Sequence, residues 1–378
     1  MKKLLTTKNK QHIFILAGEE SGDFYGANLM RYIKQQNPNI VFSGIGGKNM
    51  EKQSLESMVQ LEKIAVMGFW EVLKKVFFFK QLEKKLLKHI EKTCPEKIIL
   101  IDYPGLNLRL ATKINKLNVK TTIFYYISPQ LWAWKEKRIN VIKKYIDHLI
   151  VIFPFEKTWY NKRGMHVEYF GHPLVESIKK NGPAFQSVLK INPIKTLLFL
   201  PGSRLQEVKR HLPVFKKIIN NFVQDYPKTE FVISSIKGLP QSLYNSFENE
   251  KVTLSSKTTI ELLQQADVVV VASGTATLEC ALAKKPMVVI YKTSTISWLL
   301  SRLFLKVKFA SIVNLLHGDK LVPELLQNNC NPRNVVEAIN CIVEDRELVR
   351  LANGYKNIEQ SLVVGNTYRK TDDFILQS

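Results

Sequence analysis

The sequence predicts an α/β protein built from two doubly wound, Rossmann-like domains facing each other across a cleft. Three observations carry that prediction. Short β-branched apolar runs alternate with longer stretches of helical period, the pattern of parallel βαβ units. The alternation lapses once, over a Pro- and Gly-containing stretch at 171–193, and then restarts. The 378 residues are enough for two domains that each bury a core.

In the first half the expected strands are Ile13–Ala17, Val41–Ile45, Lys97–Ile101, Thr121–Tyr126, His148–Ile152 and Val167–Phe170, with helical patterns between them. After the lapse come Thr196–Leu200, Glu230–Ser234, Val252–Leu254, Val268–Ala272 and Pro286–Tyr291. The boundaries that follow are an N-terminal domain over 1–175, a C-terminal domain over 176–355 and a helical tail over 356–378. Ligands of such folds collect at the carboxyl ends of the strands, so the motifs at those ends are the candidates for function.

Composition narrows the function classes. Hydrophobic residues at 45% and charged residues at 23% are ordinary for a folded globular chain. Fifty-five Lys and Arg against 33 Asp and Glu give a net charge of +22, which favours anionic partners: nucleic acid, anionic lipid or a phosphorylated substrate. The lysines are spread along the chain, and a lysine-rich proteome is the alternative source of the excess. Cys94, Cys280, Cys330 and Cys341 show no CxxC spacing and no histidine cluster, so neither zinc nor a disulfide framework is indicated and a reduced, cytoplasmic setting is expected. The apolar run after Lys2 and Lys3 is too short for a signal peptide, and no run reaches the roughly 18 residues of a spanning helix. Membrane contact is therefore expected to be peripheral.

Five motifs sit at strand ends. Ala17-Gly18-Glu19-Glu20-Ser21-Gly22-Asp23, with a helix expected from near Phe24, offers close backbone approach and unpaired N–H groups to an anion or a sugar oxygen. It does not match GxGxxG, and a plain turn capped by Ser21 or Asp23 is the alternative. Asp102 follows four consecutive aliphatic residues, Ile98 to Ile101, where restricted water suits a general base; a helix cap is the alternative. The segment from Phe124 to Lys135 gathers Ser128, Gln130, Trp132 and Trp134 after a strand, as carbohydrate and acyl-chain sites require. Leu200-Pro201-Gly202-Ser203-Arg204, with Glu207 beyond, joins backbone N–H groups, a hydroxyl and a guanidinium at a helix start, a cradle for a diphosphate without metal. Ser273-Gly274-Thr275-Ala276-Thr277-Leu278-Glu279 opens a helix on which Glu279 shares a face with Thr275, placed to accept both hydroxyls of a ribose; Ser273 is compatible with a cap.

Together these segments resemble the lipid-A-disaccharide synthase family. The matching stretches are AGEESGD at 17–23, GIGG at 44–47, AVMGFWEVL at 65–73, IDYPGLN at 101–107, YYISPQLWAWK at 125–135, FPFE at 153–156, FGHPL at 170–174, LPGSR at 200–204, SGTATLE at 273–279 and PMVVIYK at 286–292. The resemblance implies the GT-B glycosyltransferase fold and transfer of 2,3-diacylglucosamine from UDP to 2,3-diacylglucosamine 1-phosphate; one base activating the acceptor would give a single displacement, so inversion at the anomeric carbon is expected. It implies Asp102 as catalytic base and Glu19 as acidic partner. Gly18, Ser21, Ser128, Gln130, Trp132, Gly202, Ser203, Glu207, Gly274, Thr275 and Ala276 are expected to bind substrate, and Arg204, Glu279 and Asn314 fall at UDP-contact positions. The family's IDxPxxN motif often carries a second acidic residue where this chain has Gly105, so Asp102 is expected to act alone. No cofactor and no metal is expected, since no DxD-like pair stands near Arg204 or Glu279.

Two rivals remain at this level. A UDP-sugar 2-epimerase shares the two-domain fold but needs no greasy surface, and a nucleic-acid-binding protein would fit the charge but finds no established motif. The stretch 66–80 favours a membrane. It is too short to span, yet Met67, Phe69, Trp70, Phe77, Phe78 and Phe79 are interleaved with Lys74, Lys75 and Lys80, as in a segment lying among the headgroups of an anionic inner-membrane leaflet. A buried helix is the alternative, and 298–309 is a weaker second candidate. A homodimer is left open.

Overall fold

The computed structural model describes residues 11–64, 76–181, 185, 187, 190, 191, 193–236, 238–247, 251–295, 298 and 307–378. The chain forms two compact units. The first runs to Glu176 and includes Val364–Ser378; the second is Ser177–Val363.

Each unit is an α/β fold around one parallel sheet. In the first, β1 (His12–Ala17), β2 (Val41–Ile45), β3 (Leu55–Ser57), β4 (Lys97–Ile101), β5 (Thr122–Tyr126), β6 (His148–Val151) and β7 (Glu168–Tyr169) line up in the order β3-β2-β1-β4-β5-β6-β7. In the second, β8 (Thr196–Leu200), β9 (Glu230–Ser234), β10 (Val252–Ser255), β11 (Val268–Ala272), β12 (Met287–Tyr291) and β13 (Glu324–Leu326) give β10-β9-β8-β11-β12-β13. Both orders reverse once, between β1 and β4 and between β8 and β11, and a doubly wound sheet opens its ligand crevice at that reversal. The AGEESGD and IDYP segments leave the first pair of strands, and LPGSR and SGTATLE leave the second.

The strand sequences explain the layering. Phe14 to Ala17, Ile98 to Ile101 and Val268 to Ala272 are buried at every position, because helices cover both faces of a parallel sheet and an alternating pattern would strand polar groups inside. Every expected strand is present. The edge strands β3 and β13 were not anticipated.

Several expectations need correction. The first helix starts at Glu20 rather than near Phe24, placing Ser21 and Asp23 inside it. Asp23 caps another helix: its carboxylate accepts the backbone N–H groups of Gly47 (2.7 Å), Met50 (3.0 Å) and Asn49 (3.1 Å) at the start of the short helix Lys48–Glu51. The 171–193 stretch contains the helix Pro173–Asn181, within which the chain passes from one unit to the other. The supposed tail is two separate helices. Asp345–Leu362 belongs to the second unit, whereas Thr367–Gln377 returns to the first, where Tyr368 stacks on Tyr32 (5.5 Å) and donates its N–H to Glu176 (3.0 Å).

Of the expected membrane residues, Met67, Phe69 and Trp70 lie outside the described residues, as does most of 298–309. The helix Val76–Thr93 buries Phe79, Leu82, Glu83, Leu86 and Ile90, a stripe at three- and four-residue spacing. Phe79 is therefore a core residue at 6% exposure, and Phe78 packs partly against the same core. Phe77 is 72% exposed, on the opposite side from the stripe. Among the described residues no helix is long and apolar enough to cross a membrane.

Candidate active site

In the first unit three loops emerge side by side, from β1, β4 and β5. The loop after β4 is under strain. Asp102 (φ 42°) and Tyr103 (φ 44°) are consecutive non-glycine residues in the left-handed region, at a cost of about 1–2 kcal/mol each. The surroundings hold them there. The Asp102 carbonyl accepts hydrogen bonds from the Tyr125 hydroxyl (2.5 Å) and Asn107 Nδ2 (2.7 Å), and the same amide donates to the Ile101 carbonyl (3.1 Å). Asp102 N–H donates to the Tyr126 carbonyl (3.1 Å), and the Tyr103 hydroxyl donates to the Ile64 carbonyl (2.7 Å). With its backbone fixed, Asp102 presents a half-buried carboxylate at the end of the strand.

Gly18 is explained by the same loop. A Cβ there would stand 2.2 Å from Cγ of Tyr103, so only glycine lets the β1 turn lie against the Tyr103 ring. Glu19 follows, half-buried; burial of Tyr103 first, and then the Glu19 charge, push the tyrosine hydroxyl up to about 12, with Arg109 opposing. Glu19 and Asp102 thus flank one tyrosine. Gly105 has open space around it: a Cβ would meet nothing within 4 Å.

The loop after β5 departs from expectation. Ser128 is buried, its hydroxyl paired with Tyr160 (2.6 Å) and the Pro129 carbonyl (3.1 Å). Trp132 is 9% exposed, packs edge-on against Phe155 and donates its indole N–H to Glu156 (2.9 Å). Both were expected on the substrate; the side-chain bonds described for both are made within the protein. Gln130 is exposed, and so is Trp134 at 44%, with the Lys135 ammonium 4.3 Å from its ring centroid. Glu156, within the FPFE motif, was not singled out from the sequence. It is fully buried, accepts from Trp132 and from the N–H groups of Ile152 and Phe153, and burial pushes its carboxyl up to about 7 against those hydrogen bonds.

In the second unit, Gly202 (φ 99°) turns the chain after β8 so tightly that a Cβ would meet Glu207 Oε2 at 2.4 Å. Ser203 and Arg204 are exposed, and Arg204 precedes the first turn of the helix Leu205–Asp225. Glu207, expected to touch substrate, faces inward. Its Oε2 accepts the Arg204 N–H (3.4 Å), while Oε1 meets Arg204 Nη1 (3.3 Å) and the Tyr291 hydroxyl (3.4 Å). A carboxylate so placed orients the guanidinium rather than meeting an anionic ligand.

After β11, Gly274, Thr275 and Ala276 form an accessible helix start, with nothing within 4 Å of a Cβ at Gly274. Gly274 is the residue before that helix, so Ser273 is not its cap; its hydroxyl donates to the Ala310 carbonyl (2.8 Å). Glu279 is held by a hydrogen bond with Thr259, and burial pushes its carboxyl up to about 7. Asn314 was expected at a UDP-contact position. It is fully buried: Nδ2 donates to the Val322 carbonyl (2.9 Å) and Glu324 (2.8 Å), and Oδ1 accepts from the N–H groups of Leu321 and Val322 (2.9 Å each). Two donors and two acceptor positions of the carboxamide are thus all used within the protein.

The loops that carry Gly18, Glu19, Ser21 and Asp102 therefore leave the two strands at the first sheet reversal, with the Gln130 loop on the next strand, and those that carry Gly202, Ser203, Arg204, Gly274, Thr275, Ala276 and Glu279 leave the two strands at the second. A family model described as lipid-A-disaccharide synthetase matches residues 13–369. Lipid-A-disaccharide synthase 1 of Legionella pneumophila (strain Paris) is 42% identical over 331 residues, covering 85% of each chain. The lipid-A-disaccharide synthase of Myxococcus xanthus is 35% identical, covering 88% of each. Among solved structures, UDP-GlcNAc 2-epimerase from Neisseria meningitidis has a TM-score of 0.65 at 14% identity, covering 97% of this chain and all of that one. The calicheamicin glycosyltransferase CalG4 has a TM-score of 0.59 at 13% identity, covering 98% of each chain. The structural likenesses establish the fold, and the family match with its relatives establishes the family: the chain belongs to the lipid-A-disaccharide synthase family of glycosyltransferases.

Proposed function

We propose that the chain transfers 2,3-diacylglucosamine from UDP-2,3-diacylglucosamine to 2,3-diacylglucosamine 1-phosphate, forming the β-1,6-linked disaccharide 1-phosphate and UDP. The observation that carries this reading, beside the family, is the Asp102 carboxylate set on a doubly left-handed backbone at the sheet reversal. Strain that neighbouring side chains maintain marks a group whose direction matters. In the reaction Asp102 takes the proton of the acceptor's primary hydroxyl as that oxygen bonds the donor's anomeric carbon. The bond from that carbon to the UDP oxygen breaks, and the electron pair leaves with UDP. Arg204 and the amide groups at the helix start after β8 meet the charge that develops on the diphosphate, and Glu279 accepts from the ribose. A single displacement inverts the anomeric centre.

Both substrates carry acyl chains, so the proposed workplace is the cytoplasmic surface of the inner membrane. Phe77, Lys80, Lys84 and Lys88 are all exposed and share a side of the helix Val76–Thr93, an aromatic foot with a cationic flank suited to anionic headgroups. The deciding experiment incubates the protein with both acylated sugars in anionic vesicles and measures UDP and disaccharide together. Absence of the disaccharide overturns the reading. Conversion of UDP-N-acetylglucosamine to its 2-epimer would replace it with the epimerase alternative.

A further inference from the structure

His211 lies inside the second unit, fully buried on the helix Leu205–Asp225. Its Nδ1 is 2.7 Å from the Pro201 carbonyl oxygen, which can only accept. Its Nε2 is 2.9 Å from the Lys292 backbone nitrogen, which can only donate. These partners impose the neutral tautomer with the proton on Nδ1.

The two partners follow strands that are not neighbours in the sheet. Pro201 directly follows β8, Lys292 directly follows β12, and β11 runs between them. Sheet hydrogen bonds cannot link β8 to β12, so the imidazole ties their carboxyl ends across the end of β11, from which the Ser273–Glu279 turn departs. Beyond Pro201 come Gly202 in its left-handed conformation and the exposed Ser203 and Arg204. Glu207, one helical turn earlier on the same helix, repeats the tie through Tyr291.

We propose that His211 is a positioning residue for nucleotide binding: it fixes the loop after β8 relative to β12, so that Ser203, Arg204 and the following amides stand where a diphosphate can use them. This rests on the reading of that loop as the diphosphate cradle. A filler role would need only an apolar side chain here. Val208, Leu212, Phe215, Ile218, Ile219 and Phe222 already bury the helix, so loss of the imidazole leaves the helix anchored and falls on the loop.

The test compares wild type, His211→Leu and His211→Asn by calorimetric titration with UDP, thermal unfolding and steady-state kinetics. His211→Leu is expected to weaken UDP binding and raise the donor KM by roughly 10- to 100-fold, the scale of a displaced binding loop, with kcat and acceptor KM near wild type. Asparagine keeps the bond to Pro201 and loses that to Lys292, and an intermediate affinity is expected. Unchanged UDP affinity in folded His211→Leu overturns the proposal, as does a fall in kcat with donor KM unmoved. Should His211→Leu not fold, His211→Asn decides: wild-type affinity refutes the tie. Failure of the wild type to bind UDP would instead overturn the cradle reading itself.

Discussion

Phe77 and Phe79, two residues apart on one helix, are expected to fail in opposite ways when truncated. Phe79 sits in the core with Leu82, Leu86 and Ile90, so Phe79→Ala removes a buried ring and leaves a cavity, at a cost of about 3–5 kcal/mol. For a unit of this size that lowers the melting temperature by roughly 6–20 °C. The helix keeps its other anchors, including the buried Glu83 paired with Arg109 and Lys113, so the folded fraction should still bind vesicles. Phe77 is 72% exposed and contributes little to the core, so Phe77→Ala should leave the melting temperature within about 1 °C, as surface changes do. On anionic vesicles the same ring would enter the headgroup region, and losing it forfeits about 1–2 kcal/mol of burial, roughly a 5- to 30-fold weaker partition. Vesicle sedimentation at low and high salt, beside differential scanning calorimetry, reads both quantities, and the residual binding should weaken with salt because Lys80, Lys84 and Lys88 supply it. Undiminished vesicle binding by Phe77→Ala would refute the membrane assignment of this helix face. A Phe79→Ala protein of normal stability that no longer bound vesicles would refute the assignment of the two faces.

Asp102→Asn should fold and bind UDP normally while turnover falls about two to four orders of magnitude, the scale of a lost general base; near-normal turnover would remove Asp102 from the mechanism. Arg204→Ala should weaken UDP binding in a titration at unchanged melting temperature, and equal affinity would dismiss the cradle. Glu279 has its folded pKa pushed up to about 7 by burial. The native state therefore holds a proton that the unfolded chain has released above about 4.5, and the second unit should lose stability as pH rises between those values. Glu279→Gln should flatten that slope in denaturant titrations run across the window; an unaltered slope would show that another group carries it. Gly105→Asp should be accepted without loss of stability, since open space surrounds the position and an acidic residue suits the first turn of the helix Pro104–Ile114; a destabilised variant would contradict the geometry.

Much was determined by the sequence alone. Buried parallel strands need uninterrupted aliphatic runs, and such runs are local, so Ile98 to Ile101 and Val268 to Ala272 declared themselves without neighbours. The short edge strands did not: Leu55-Glu56-Ser57 and Glu324-Leu325-Leu326 owe their pairing to β2 and β12, not to their own pattern. The strand-end motifs were equally legible, because glycine, proline and a lone acid after an apolar run have local meaning. Their division of labour was not. Which of three consecutive phenylalanines faces the core depends on the phase of a helix packed against a sheet. Whether Ser128, Trp132, Glu207 and Asn314 face a ligand or the protein depends on Tyr160, Glu156, Tyr291 and Glu324, which the chain brings up from 10 to 84 residues away. The strain at Asp102 and the histidine bridge from Pro201 to Lys292 have the same origin. A hydrogen-bond partner distant in sequence leaves no local periodicity, so only the folded topology assigns it.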